Sequence, residues 1–295
     1  MTLKLEKSVV LHGGVGNQLF QWAFGHHLIE SGFQANFVFY NKAYEQKHAN
    51  EFLQTHFPVC EHGAFKLINL PNNKLLKAIQ DPTNPKNPFL KIPSIRNRIS
   101  NNLDEPFKIP SISQSHKLFF GYYQDSTMVH NLHRILIPEL TKSLEMTPPT
   151  AHEIELVGSE VIHLRLGDLM TMKNRAATGV LDLKYYQNLP AKSSRLRIVV
   201  TDDLPNARVL LKDLKIDHFF GPEEFGVKSA LGVMARSSLL FTANSTLSWW
   251  GGIIAQHLGS TVFIPEPFYR NVNPRPSFDT YHYPGFIKLP SSFLP

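Results

Sequence analysis

The stretch Val161-Ile162-His163-Leu164-Arg165-Leu166-Gly167-Asp168 opens the part of the chain whose rhythm decides the fold. Its β-branched start and alternating pattern predict a buried strand over Val161–Leu166 that ends in a turn at Gly167. Further strands are predicted at Leu196–Thr201, His218–Phe220, Leu239–Thr242 and Thr261–Ile264. Helices are predicted near Leu183–Leu189, Pro205–Asp213, Lys228–Ala235 and Leu247–His257. Strands alternating with helices of this length specify a parallel sheet with helices on both faces.

The first half carries a looser version of the same pattern. Ser8–Leu11 reads as a strand, His12–Gly16 as a turn, and a helix starts near Asn17 with Leu19, Phe20, Ala23, Phe24, His27 and Leu28 at helical spacing. Phe37–Tyr40 and Phe119–Gln124 read as strands, the latter leading into a loop and helix. Residues 71–115 are interrupted by prolines from Pro71 to Pro110 and predict short helices and loops. The polar, proline-rich Thr147–Thr150 is the linker candidate, giving two α/β domains over residues 1–150 and 151–295.

Composition narrows the class. The chain has 295 residues, 42% hydrophobic and 18% charged, which is the profile of a folded protein with a real core. A formal charge of +6 suits a nucleic acid, an acidic membrane surface or phosphate-bearing small molecules. No dense Lys/Arg block marks a nucleic-acid arm, and Arg195-Leu196-Arg197 reads as a solvated strand start. The single cysteine, Cys60, supports neither an intrachain disulfide nor a Cys-based metal site. No apolar run approaches the length of a transmembrane helix, so the expectation is a cytoplasmic protein.

Four segments carry chemistry. Along a strand, His163 and Arg165 share one face while Leu164 and Leu166 take the other. An arginine in that position needs a fixed anion or carboxylate, so the pair reads as an anion site or as a local Arg165–Asp168 ion pair. The loop Gly13-Gly14-Val15-Gly16-Asn17-Gln18 lies between strand and helix, where backbone can approach a ligand, or where glycines simply make a turn. Its spacing is not the dinucleotide fingerprint, and positions 36 and 37 are Asn and Phe where a ribose-binding acid would stand. Val199–Asp203 is a strand ending in two carboxylates, able to accept the N–H edge of guanine, with Asp203 equally able to cap a helix ahead of Pro205. In Phe241–Gly252, Asn244, Ser245 and Thr246 sit at a strand-to-helix junction suited to phosphate oxygens, while Trp249 and Trp250 belong in the core. No Asp-x-Asp triplet or ligand-spaced His/Asp/Glu cluster is present, so Arg165, helix N-termini and hydroxyls would neutralise a phosphate without a metal.

Taken in order, GGVGNQLFQ (13–21), HLRLGD (163–168), TDD (201–203) and NSTLSWW (244–250) resemble the α-1,2-fucosyltransferases of glycosyltransferase family 11, and more distantly the α-1,6- and protein O-fucosyltransferases. The resemblance implies a GT-B architecture, two Rossmann-like domains facing across a cleft, with GDP-β-L-fucose bound mainly by the C-terminal half. It assigns Arg165 to the β-phosphate, His163 to the nucleotide, Asp202 and Asp203 to the guanine side, and Asn244, Ser245 and Thr246 to the diphosphate. Gly14, Gly16, Asn17 and Gln18 would face the fucose and acceptor. One departure stands out: Leu166 replaces the second of two adjacent family arginines. The implied reaction is inverting, metal-independent and cofactor-free transfer of fucose to the 2-hydroxyl of a galactose-terminated glycan, lipid-linked or soluble. Asp168 is the candidate base, with His12 and a base-free route beside it. The resemblance fits a bacterial cytoplasmic enzyme with at most peripheral membrane association and no nucleic-acid partner. A related enzyme using GDP-mannose, and a basic nucleic-acid-binding module, are the competing classes.

Overall fold

A computed structural model describes residues 5–39, 67–68, 93, 97–145, 153, 155–271 and 281–295, and the chain divides into two compact units, Met1–Ser143 and Leu144–Pro295. The linker candidate Thr147–Thr150, Tyr40, Cys60 and residues 71–92 lie outside the described residues.

The first unit holds five parallel strands: β1 (Glu6–Leu11), β2 (Gln34–Phe39), β3 (Leu67–Ile68), β4 (Ile99–Asn102) and β5 (Leu118–Gly121), in the order β3-β2-β1-β5-β4. Helix α1 (Val15–Glu30) makes the crossover that a parallel β1–β2 pair requires. It starts two positions before the expected Asn17, because the Gly14 carbonyl already accepts the amides of Asn17 (2.9 Å) and Gln18 (3.1 Å). Leu19, Phe20, Trp22, Ala23, Phe24 and Leu28 are fully buried, and so are Gln18 and Gln21, making α1 a core helix on nearly every face. Strand β4 falls in the stretch read as short helices and loops. Its Ile-Ser-Asn-Asn sequence has almost no strand signal, and pairing with β5 supplies what propensity does not. Helices α2 (Ser126–Asn131), capped by the Asp125 carboxylate on the Met128 amide at 2.8 Å, and α3 (His133–Glu145) follow β5.

The second unit is a six-stranded parallel sheet. Its strands are β6 (Glu160–Leu164), β7 (Arg197–Thr201), β8 (His218–Phe220), β9 (Leu239–Phe241), β10 (Thr261–Glu266) and β11 (Ile287–Pro290), in the order β11-β10-β9-β6-β7-β8. Every residue of β6 and β7 is buried, as central strands covered on both faces must be. A 3₁₀ turn (Gly167–Met170) and helices α4 (Met172–Ala177), α5 (Leu183–Tyr186), α6 (Leu204–Leu210), α7 (Val227–Ala235) and α8 (Thr246–His257) connect them. Helix α5 ends before the expected Leu189, because the amides of Asn188 and Leu189 turn back onto Tyr185 and Tyr186 at 3.2 Å, ahead of Pro190.

The reading of Arg195–Arg197 as a solvated start is corrected at Arg197. Its side chain is buried, with Nε on the equally buried Glu160 carboxylate at 2.7 Å and Nη2 on the Pro190 carbonyl at 2.8 Å. A guanidinium paired with a carboxylate and hydrogen-bonded to a carbonyl is one the interior tolerates.

Candidate active site

In the second sheet the chain steps outward from β6 through β7 to β8, then returns to β6's other edge and continues through β9, β10 and β11. That is the doubly wound order of a Rossmann fold, and its direction reverses between β6 and β9. Ligands of open parallel sheets bind at the carboxyl ends of the strands flanking such a reversal. Three of the four sequence segments end on these neighbouring strands: His163–Asp168 on β6, Thr201–Asp203 on β7 and Thr242–Thr246 on β9.

Arg165 lies just past β6, which ends at Leu164 and not at the expected Leu166. Leu164 and Leu166 both join one core cluster, as alternation requires. The Arg165 side chain, 37% exposed, donates from Nη2 to the Asp168 carboxylate at 2.7 Å and from Nε to the same oxygen at 3.2 Å. Its Nε also faces the Asp202 carboxylate at 3.0 Å. The local ion pair named as the alternative reading is therefore present, and a second carboxylate from β7 joins it. Burial opposes the guanidinium charge, but Asp202 and Asp168 outweigh it and hold the pKa above its usual value.

His163 is 5% exposed. Burial, then the charge of Arg165, pushes its pKa down to about 3, so the imidazole is neutral near pH 7 and adds no positive charge to the site. Its Nδ1 has no hydrogen-bond partner among the described residues.

The downstream residues divide between scaffold and crevice. Asp202 accepts the amides of Leu166 (2.7 Å) and Gly167 (3.1 Å). Asp203 caps α6, accepting the Asn206 amide at 3.2 Å and the Asn206 side chain at 2.7 Å. Asn244 is buried and donates to the Gly179 carbonyl at 2.9 Å, while its Oδ1 has no partner. Ser245 stands at the N-cap of α8 without capping it through its side chain, and Thr246 is the first helical residue. Trp249 and Trp250 are fully buried, as expected, with the Trp249 indole donating to the Tyr281 carbonyl at 2.9 Å. Sequence reasoning passed over Tyr185 and Tyr186. The first donates to the Thr242 carbonyl at 3.0 Å, and the second buries a hydroxyl with no partner among the described residues. An adjacent Tyr pair in a helical stretch reads as ordinary core, and only the contacts distinguish them.

In the first unit β1 and β5 are neighbours in the sheet, and the glycine loop lies at β1's carboxyl end. His12 is buried and bonds the Gly121 carbonyl through Nε2 at 3.1 Å; a carbonyl only accepts, so Nε2 carries the proton. Burial lowers its pKa to about 4 against the raising effect of that bond. Gln21 accepts the His12 amide at 3.0 Å and donates to the carbonyls of His12 (3.2 Å) and Gly121 (3.1 Å). Of the predicted loop residues, Gln18 donates to the Gly13 carbonyl at 2.7 Å and Asn17 accepts from Gln124 at 2.7 Å. Gly16 is buried inside α1, and Gly14 is its N-cap with nothing within 4 Å of a built Cβ.

Among the described residues, no helix is long and apolar enough to cross a membrane. No group of three or more His, Cys, Asp or Glu among them could hold a metal ion.

No protein-family model and no curated protein matches the chain. Among solved structures, E. coli heptosyltransferase WaaC with ADP aligns over 97% of this chain and 93% of its own, at 11% identity and a TM-score of 0.51. A family 9 glycosyl transferase from Veillonella parvula covers 100% and 90% at 11% identity and 0.49. Fucosyltransferase NodZ from Bradyrhizobium covers 83% and 92% at 13% identity and 0.46. The likeness to WaaC, with two Rossmann-like parallel sheets in one chain, shows that the fold is GT-B-like.

Proposed function

We propose that this chain is an inverting, metal-independent glycosyltransferase that moves L-fucose from GDP-β-L-fucose to the 2-hydroxyl of a galactoside. The observation that carries the reading is the convergence of three separate segments on the reversal point of the second sheet. There Arg165 follows β6, and α8, whose N-cap Ser245 makes no side-chain cap, follows the adjacent β9, with buried polar atoms of His163 and Asn244 left without partners among the described residues. A cation and a helix N-terminus suit a diphosphate, and the fold is shared with a heptosyltransferase solved with ADP. The choice of fucose rests on the four motifs. In the reaction the acceptor oxygen bonds to C1 of fucose, the C1–O bond to the diphosphate breaks, and GDP leaves with the electron pair. Arg165 stabilises the charge that develops there. A phosphate oxygen takes Asp168's place on Nη2, and the released carboxylate accepts the hydroxyl proton.

Thermal shifts with GDP, GDP-fucose, GDP-mannose and UDP-sugars test the donor, and a galactoside acceptor screen with linkage analysis tests the product. Stabilisation by GDP and GDP-fucose, and an α-1,2 product formed equally in EDTA, are expected. Selective stabilisation by GDP-mannose transfers the reading to that donor. Salt-sensitive binding of random DNA with no nucleotide response overturns it.

A further inference from the structure

We propose that Asp202 is a positioning residue that aims Arg165, and that Gly167 is glycine to let it do so; this rests on Arg165 meeting a diphosphate. The Asp202 carboxylate is engaged at both oxygens. Oδ1 accepts the amides of Leu166 at 2.7 Å and Gly167 at 3.1 Å, and Oδ2 faces Arg165 Nε at 3.0 Å. One side chain at the end of β7 thus fixes both the backbone that leaves β6 and one edge of the guanidinium. No pair of oxygens is left for a bidentate contact with guanine.

Asp168 plays a different part. It reaches Arg165 from three residues away on the same turn, and its side chain is 57% exposed against 32% for Asp202. Losing it leaves the backbone where it is. Nε donates to Asp168 while Asp202 Oδ2 pairs with the same edge of the guanidinium, so Nη1, and Nη2 once Asp168 is displaced, are left to meet two phosphate oxygens.

Gly167 closes the case. Its φ is not left-handed, so the turn itself does not require glycine. A Cβ built on it falls 2.5 Å from Asp202 Oδ2 and 2.9 Å from Cγ. Any side chain at 167 therefore pushes against the carboxylate that holds Arg165.

Asp202→Asn is the direct probe. The amide oxygen still accepts both backbone amides, but the NH₂ carries no charge to pair with the guanidinium. Affinity for GDP and for inorganic pyrophosphate is expected to fall together, about tenfold or more. A loss confined to GDP, with pyrophosphate unchanged, makes Asp202 a guanine contact and overturns the proposal. The Nε–H NMR signal of Arg165, assigned by its disappearance in Arg165→Lys, should shift and lose protection in Asp202→Asn although Asp168, which accepts that N–H, is untouched, because the guanidinium is no longer held in place. An unchanged signal also overturns it. That readout needs no nucleotide, so a native chain blind to both GDP and pyrophosphate sinks the diphosphate reading while the NMR comparison still decides the clamp. Gly167→Ala should reproduce both losses, and the double variant should lose no more than either single one. Additive losses separate Gly167 from the clamp and refute its assigned role.

Discussion

The strand order reverses between β6 and β9 in the second sheet but not between β1 and β5 in the first, and what fills the carboxyl ends of these central strands differs too. In the first unit, the ends of β1 and β5 are stitched together by neutral side chains: Gln21 makes three bonds there and His12 a fourth. In the second unit, the corresponding ends carry a guanidinium between two carboxylates and buried polar atoms without partners. The first arrangement is neutral and paired within itself, although the Tyr123 hydroxyl just past β5 is buried with no partner among the described residues. The second adds charge to hydrogen-bonding capacity that nothing in the described chain uses. Buried polar atoms are ordinarily satisfied, so the contrast supports the proposal that the nucleotide is bound in the second unit.

The contrast is broken or sharpened most strongly at Arg165. Arg165→Ala should lower turnover by about 10²–10³-fold, the cost of removing one donor from a developing oxyanion. Its melting temperature should barely move, because the carboxylates it leaves behind reach water. Gln21→Ala should do the reverse. It leaves the buried amide and carbonyl of His12 without the Gln21 side chain, at about 3 kcal/mol, read by urea unfolding. If Arg165→Ala destabilises as much as Gln21→Ala, the division into site and scaffold fails.

Much of this was legible in the sequence, for a definable reason. The rhythm of β6 to β10 was readable because buried parallel strands and their helices carry their periodicity locally. Strand order is not local. That β6 and β9 flank the reversal, and so define the crevice, follows only from pairing. The role of Asp202 was invisible for the same reason: the atoms it holds lie 36 and 35 positions away, brought close by the register Leu164↔Thr201. Gly167 was read as a turn glycine, whereas its lack of a side chain matters through Asp202. The sequence places His163 beside Arg165 in an anion site. Burial, which no single-sequence pattern reports, makes it neutral.

The two crevices do share a buried neutral imidazole, and acid should expose it. The pKa values of about 4 for His12 and about 3 for His163 lie below the ordinary histidine value of 6.5, so the unfolded chain binds more protons in the window between. Their contribution to stability is intact above pH 6.5 and is lost as pH falls toward those values. Lowering pH from about 6.5 to about 5 should cost about 2 kcal/mol per histidine. His12→Gln and His163→Gln should each flatten part of the slope measured by unfolding titrations. A slope unmoved by either variant would place acid sensitivity in the carboxylates instead.

The smallest effects ask whether the first crevice is finished throughout. Gly13 has φ +73°, and a Cβ there lies 2.9 Å from the Asn17 side chain, so Gly13→Ala should cost about 1–2 kcal/mol of stability. Gly14 has φ −69° and open space around a built Cβ, so Gly14→Ala should change stability by less than about 0.5 kcal/mol. The informative measurement is turnover of Gly14→Ala. If the loop is only a turn, activity follows stability and does not change. If activity falls while the melting temperature holds, a ligand approaches the backbone at the start of α1, where the fold leaves room around Gly14. The first unit would then keep an open edge of its own beside an otherwise closed network.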